Sequence, residues 1–191
     1  MPDEVPDERL IRAIRAGDRG AFVRLFTDLG PSVRRLGRAI TGRDADADDV
    51  LQDTFLAAWR AREGLRDDGS PRHWVFAIAR NAARRRSQRT HREPAVETDA
   101  LLDLGVAAGW GADVPEAVLT RVEDRDAVRR ALDALNPDDR EVLVLRDLDG
   151  VSGEETAALL GVTLEAMKSR LHRARLRLLA ALRHGGDHAG P

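Results

Sequence analysis

The sequence predicts an all-α protein, and three observations carry that prediction. Apolar residues recur at i, i+3, i+4 and i+7 through most of the chain. Ser, Thr, Asp and Pro stand where helices would begin, and Gly where one would end. No segment alternates apolar and polar residues with the β-branched enrichment of a half-buried strand.

Taken in order, Asp7 to Ala16 makes a short amphipathic helix with Leu10, Ile11 and Ile14 on one side. Asp18 can cap a second helix, in which Phe22, Leu25, Phe26 and Leu29 follow the spacing of a buried stripe. Pro31 permits a third, carrying Val33, Leu36 and Ile40. A longer helix runs from about Ala45 to Arg62 through Val50, Leu51, Phe55, Leu56 and Trp59. Ser70-Pro71 reads as an N-cap followed by proline at the first helical position, opening a helix through Trp74, Val75, Ile78 and Ala82. After a stretch rich in Pro, Gly and acid come four more patterns: Glu116 to Leu135, Asp138 to Leu148, Ser152 to Leu160, and Thr163 to about Arg183.

Composition bounds the function. With 191 residues and 42% apolar content, the chain can build one ordinary core or two small ones, and wholesale disorder is excluded. Cysteine is absent, which removes disulfides, thiolate metal sites and thiol catalysis. No apolar run approaches the roughly 20 residues of a membrane span, and the start MPDEVPDERL is unlike a signal peptide, so a cytoplasmic location is expected. There are 30 arginines to one lysine, Lys168, most simply the mark of a GC-rich coding sequence.

Net charge is only −2, but its distribution is uneven. Gly69 to Arg92 holds seven arginines and no acid, whereas Glu93 to Ala127 has nine acids against two arginines. Between Ala166 and Arg183 lie six basic residues and no acid.

That last segment belongs to a two-helix unit. Ser152 and Glu155 have capping-box spacing, Gly161 ends the first helix, and Thr163 can cap the next. So short a turn makes the two helices cross steeply, in helix-turn-helix fashion. On a wheel, Leu164, Met167, Leu171, Ala174 and Leu178 form the packing side. The other side presents Glu165, Ser169, His172 and Arg173, flanked by Lys168, Arg170 and Arg175, a set suited to a major groove.

Two N-terminal stretches need chemistry of their own. DDVLQDTFLAAWR (Asp48 to Arg60) places Asp49, Gln52 and Asp53 on one side, with Val50, Leu51, Phe55 and Trp59 for core or contact. The preceding acids do not make a calcium loop: its sixth position requires Gly and its twelfth Glu, and Asp49 and Phe55 stand there. In SPRHWVFAIARNAARRRSQR (Ser70 to Arg89), His73, Arg80 and Arg84 line one side and Asn81 sits at the margin of the apolar face. A basic strip beside an exposed Phe76 suits single-stranded nucleic acid.

GDRGAF (Gly17 to Phe22), DDVLQDTFLAAWR, PRHWVFAIARN and EETAALLGVTLEAMKSRLHRAR together resemble the extracytoplasmic-function (ECF) group of bacterial sigma-70 family RNA polymerase sigma factors. The resemblance implies a sigma 2 domain over residues 7–90, an acidic linker over 91–115 and a sigma 4 domain over 116–184. The inhibitory N-terminal region and middle domain of larger sigma factors would be missing. By similarity, Asp49, Gln52 and Asp53, with Phe55 and Trp59, dock on the β′ clamp helices of core RNA polymerase. Arg66, Asp67, Asp68, Gly69, Phe76 and Asn81 belong to capture and melting of the −10 element, with Arg80, Arg84 and Arg86 on the strand's phosphates. Lys168, Ser169, His172 and Arg173 match the readers of the −35 element. The linker would thread toward the RNA exit path. The β flap and an anti-sigma factor, which could tether the protein at a membrane, are further implied partners, and neither a cofactor, a metal nor catalysis is expected. Arg85 stands where the family often has Asp, Thr156 replaces the usual aliphatic residue, and Trp110 is unusual in the linker. The alternatives are a helix-turn-helix regulator acting at operators and a polymerase-binding mimic of sigma. Reconstitution with core polymerase separates them.

Overall fold

Local sequence rules account for most of the element boundaries in the structure, a computed structural model that describes residues 7–66, 69–90 and 125–186. By contacts the chain divides into two compact units, residues 1–90 and 91–191.

In the first unit, α1 (Asp7–Arg15) buries Ile11 and Ile14 completely, one turn apart. Asp18 then caps α2 (Arg19–Thr41), its carboxylate accepting the Ala21 N–H at 3.0 Å. Helix α2 is continuous through Pro31, so the expected break into two helices does not occur. A proline in a helix interior costs about 3 kcal/mol. Here Leu25 before it and Val33, Leu36 and Ile40 after it all enter one core, which outweighs that cost. Pro31 itself faces solvent, where water can reach the carbonyl its ring leaves unpaired.

Helix α3 (Asp44–Ala61) crosses α2 at Gly37, where an added Cβ would lie 3.1 Å from Val50 Cγ1 and 3.3 Å from the Ala47 Cα. After a short 3₁₀ turn (Arg62–Gly64), Ser70 caps α4 (Pro71–Thr90), its hydroxyl accepting the His73 N–H at 3.2 Å. Helices α2, α3 and α4 pack on one another, and α1 lies against α2 and the 3₁₀ turn.

The buried face of α4 differs from the one expected. Val75, Phe76, Ala79, Ala82 and Ala83 are inside, while Trp74 and Ile78 are half-buried. Phe76, expected to be exposed, is 0% accessible. Three alanines let α4 approach its neighbours closely, and that close approach decides which of the adjacent Trp74, Val75 and Phe76 goes inward.

In the second unit, α5 (Arg125–Asp133) is followed by α6 (Pro137–Leu143), capped by Asn136, whose Oδ1 accepts the Asp139 N–H at 2.8 Å. The part of the Glu116 to Leu135 pattern before Arg125 lies outside the described residues. Instead of running as regular helix to Leu148, α6 passes into a π-helical turn over Val144–Leu148. Helix α7 (Gly153–Leu160) begins with the expected capping box, Ser152 and Glu155 exchanging hydrogen bonds of 3.2 Å. Gly161 ends it at φ +70°, left-handed geometry that costs other residues about 1 kcal/mol or more. Thr163 then caps α8 (Leu164–Gly186), accepting the Ala166 N–H at 3.2 Å. No strand occurs among the described residues.

Candidate nucleic-acid and partner interfaces

Helix α8 turns Met167, Leu171, Ala174 and Leu178 into the core, and the opposite side follows from its pitch. Lys168, Ser169, His172 and Arg173 are all exposed on that side, with Glu165 beside them. Lys168 Nζ donates to Glu165 Oε1 at 3.1 Å, a surface pair that holds the amine loosely. The flanking bases divide. Arg175, expected beside this face, instead donates two hydrogen bonds to Asp147, and Arg177 pairs with Asp139. The exposed cations of the face are therefore Lys168 and Arg173, with Arg170 half-buried at its edge.

The first unit carries two surfaces. On α3, Gln52 and Asp53 are exposed and Asp49 is half-buried. Phe55, expected among the contact residues, is only 5% accessible, so its ring belongs to the core. Phe22 and Phe26 meet it edge-on, with centroids at 6.1 and 4.8 Å. Trp59 is half-buried against Phe22 at 4.9 Å, with the Arg62 guanidinium 4.7 Å from its ring. The exposed apolar groups are others: Val23 (60%), Phe26 (45%) and Leu56 (46%). Sequence reasoning placed Phe26 in a buried stripe and did not single out Val23. The signal was present, because apolar residues at 22, 23, 25, 26 and 29 spread wider than one buried face of α2 needs.

On α4, Asn81 is exposed, and His73, Arg80 and Arg84 are half-buried. Phe76 lies inside with the Arg72 guanidinium 5.4 Å from its ring, so it offers no surface to a nucleobase. Arg86, expected on phosphates, is turned toward α3, donating to Asp46 at 2.7 Å and to Asp49. The hydrogen bond to Asp46 chiefly raises its pKa above the ordinary arginine value. Arg34 is raised likewise, foremost by its 2.6 Å bond to Asp48. The acids of DADADD are thus helical and paired with arginines of α2 and α4, with Asp49 still half-exposed beside Arg86.

Between these helices Arg66 is exposed and its carbonyl accepts the Gly69 N–H at 3.1 Å; Asp67 and Asp68, like the linker and Trp110, lie outside the described residues. Among the described residues, no group of three or more His, Asp or Glu is placed to hold a metal ion, and no helix is long and apolar enough to cross a membrane.

Comparison with known proteins matches residues 25–93 to the sigma-70 region 2 family and residues 125–178 to the sigma-70 region 4 family. The RNA polymerase sigma factor CnrH of Cupriavidus metallidurans is 34% identical over 186 residues, covering 95% of this chain and 97% of that protein. The ECF RNA polymerase sigma factor SigM of Mycobacterium tuberculosis is 37% identical over 179 residues, 94% and 86% of the two chains. Among solved structures, CnrH in complex with the cytosolic domain of CnrY superposes with a TM-score of 0.64 at 29% identity, covering 93% of this chain and 97% of that one. The sigma factor RpoE of Bartonella quintana, in complex with the anti-sigma factor NepR, gives 0.61 at 25%, covering 85% and 96%. Two family regions in sequence order, and relatives matched over nearly their whole lengths, establish that this chain belongs to the ECF group of sigma-70 family RNA polymerase sigma factors.

Proposed function

We propose that this sigma factor binds core RNA polymerase and directs promoter-specific initiation, with its two units dividing the promoter between them. In the second unit, α8 enters the major groove of the −35 element, where Lys168, Ser169, His172 and Arg173 meet base edges and phosphates. The observation that carries this reading is that those four side chains stand together on the outward face of a doubly capped helix-turn-helix. In the first unit, exposed Asn81 and the segment from Arg66 to Gly69 take the extruded −10 base, and Arg80 and Arg84 attract the strand's phosphates. Arg86 supports that helix through α3 and does not lead the phosphate contact.

Core polymerase docks on the α3 face of Asp49, Gln52, Asp53 and Trp59, extended by the apolar groups Val23, Phe26 and Leu56. The same apolar surface suits an anti-sigma factor, since solved relatives are bound to CnrY and to NepR. The protein acts by binding, without covalent chemistry of its own, in the cytoplasm where polymerase works. A regulator outside the polymerase would leave the region 2 match without a purpose.

Purified chain added to core polymerase, with promoters selected from a randomised library, tests the reading. Runoff transcripts starting at one defined distance from recurring upstream and downstream elements are expected. Core enzyme that gains no promoter-specific starts would refute it.

A further inference from the structure

Arg175 lies seven residues after Lys168, so at 100° per residue the two stand on nearly the same stripe of α8, roughly 10 Å apart along the axis. Lys168 points to solvent, but Arg175 does not. Its Nε and Nη2 reach the two carboxylate oxygens of Asp147 at 2.9 and 2.6 Å, a bidentate fork that fixes the guanidinium in position and plane. The Asp147 side chain is 3% exposed and that of Arg175 23%, so the pair is shielded from salt far better than a surface pair.

Asp147 sits in the π-helical turn, which is itself pinned. The Asp149 N–H donates to the Val144 carbonyl at 2.9 Å, the Val151 N–H to that of Leu145 at 2.8 Å, and the Arg146 guanidinium to that of Val151. The next residue, Ser152, caps α7. A wider π turn re-aims the side chains beyond it, which brings an acid at 147 round to α8 directly after the buried run Val142 to Leu145.

We infer that Asp147 and Arg175 are a positioning pair that fixes the rotation of the reading helix, so that Arg175 serves DNA binding without touching DNA. The inference rests on the −35 reading proposed above. Rotation is what must be controlled, because Lys168 and Arg173 can reach different base edges only at one setting of the helix in the groove. A bidentate tie on the Lys168 stripe, two turns away, sets that angle more tightly than apolar packing alone.

The rival role for Arg175 is a direct phosphate contact, and the two predict opposite results for Asp147→Asn. Removing an acid beside a DNA-contacting arginine would leave binding unchanged or tighten it. Removing the tie of a positioning pair weakens it. The test uses the full chain assembled with core polymerase, and a duplex of the upstream half of a promoter that this holoenzyme selects from a randomised library. Asp147→Asn and Arg175→Lys are each expected to bind about tenfold more weakly, with the double variant no worse than either single one. The ratio of affinities for selected and scrambled duplexes should fall, while the slope of log affinity against log salt stays that of the parent, because no phosphate contact is lost. Unchanged or tighter binding by Asp147→Asn, or a salt slope smaller by about one in the charge-removing Arg175→Gln, overturns the inference. So does a lower melting temperature with affinity and discrimination intact. If Asp147→Asn loses helical circular dichroism, Asp147→Glu and Arg175→Lys carry the same comparison. Arg173→Ala, run alongside, reports on the −35 reading: its failure to weaken binding would sink that reading, whereas weakened Arg173→Ala beside parent-like pair variants would sink only this inference.

Discussion

Thr156 carries a hydroxyl into a core that has no partner for it: the residue is 0% exposed and its Oγ1 makes no hydrogen bond. A buried, unsatisfied hydroxyl costs about 1–3 kcal/mol. Thr156→Val, nearly the same shape, should therefore raise stability by about 1 kcal/mol, read as a higher melting temperature with promoter binding unchanged. Arg173 lies at the other extreme, exposed on the outward face of α8. Arg173→Ala should weaken binding to the selected −35 duplex by about 1–3 kcal/mol and relax specificity at one base position if it reads a base edge, measurable by binding to a panel of single-base variants. Arg86 is a third case, because its cation is held by Asp46 and Asp49. A cation whose pKa is raised on folding contributes stability that is complete below its unfolded value and is lost only as pH rises past the folded one. That window lies far above neutrality. Arg86→Gln should therefore lower the melting temperature by the same amount at pH 7 and pH 9; a loss that shrinks with pH would contradict the ion-pair account.

At the scale of elements, caps and glycines decide where helices begin, end and touch. The capping box of α7, the left-handed Gly161 and the Thr163 cap are each set by neighbours within four residues, which is why sequence alone located the helix-turn-helix. The α2–α3 crossing depends instead on one small residue. With Val50 Cγ1 and the Ala47 Cα already 3.1 and 3.3 Å from where a Cβ would stand, Gly37→Leu must push the helices apart. A loss of more than about 2 kcal/mol is expected from overpacking, despite the better helix propensity of leucine; chemical denaturation checks it. Pro31 makes the contrasting point. The local rule that proline ends a helix was overridden because burial on both sides of it favoured continuity.

At the scale of the whole molecule, contacts gather within residues 1–90 and within residues 91–191. Residues 1–90 have their own core of Ile11, Ile14, Leu36, Val50 and Phe76, so they should fold when expressed alone. Cooperative loss of helical circular dichroism on heating is the expected result, and a gradual, non-cooperative loss would show that the unit needs the rest of the chain. The helical class, most helix boundaries and the outward set Lys168, Ser169, His172 and Arg173 were legible in the sequence. They depend on caps, turns and periodicity, whose physics acts over a few residues. Other features were not legible, for reasons that share one cause. Phe76 went inside because alanines on α4, silent in a count of large apolar groups, allowed close packing. Phe26 came out because the α2–α3 core was already filled by Leu25 and Phe55. Arg86 and Arg175 found acids 40 and 28 residues away, at Asp46 and Asp147. The sequence by itself determined the helical class, most of the caps and turns, and which family the segments belong to. Only the tertiary structure decided which side of each helix faces in and which arginines are tied to acids of other elements, because burial and ion pairing are settled between elements distant along the chain.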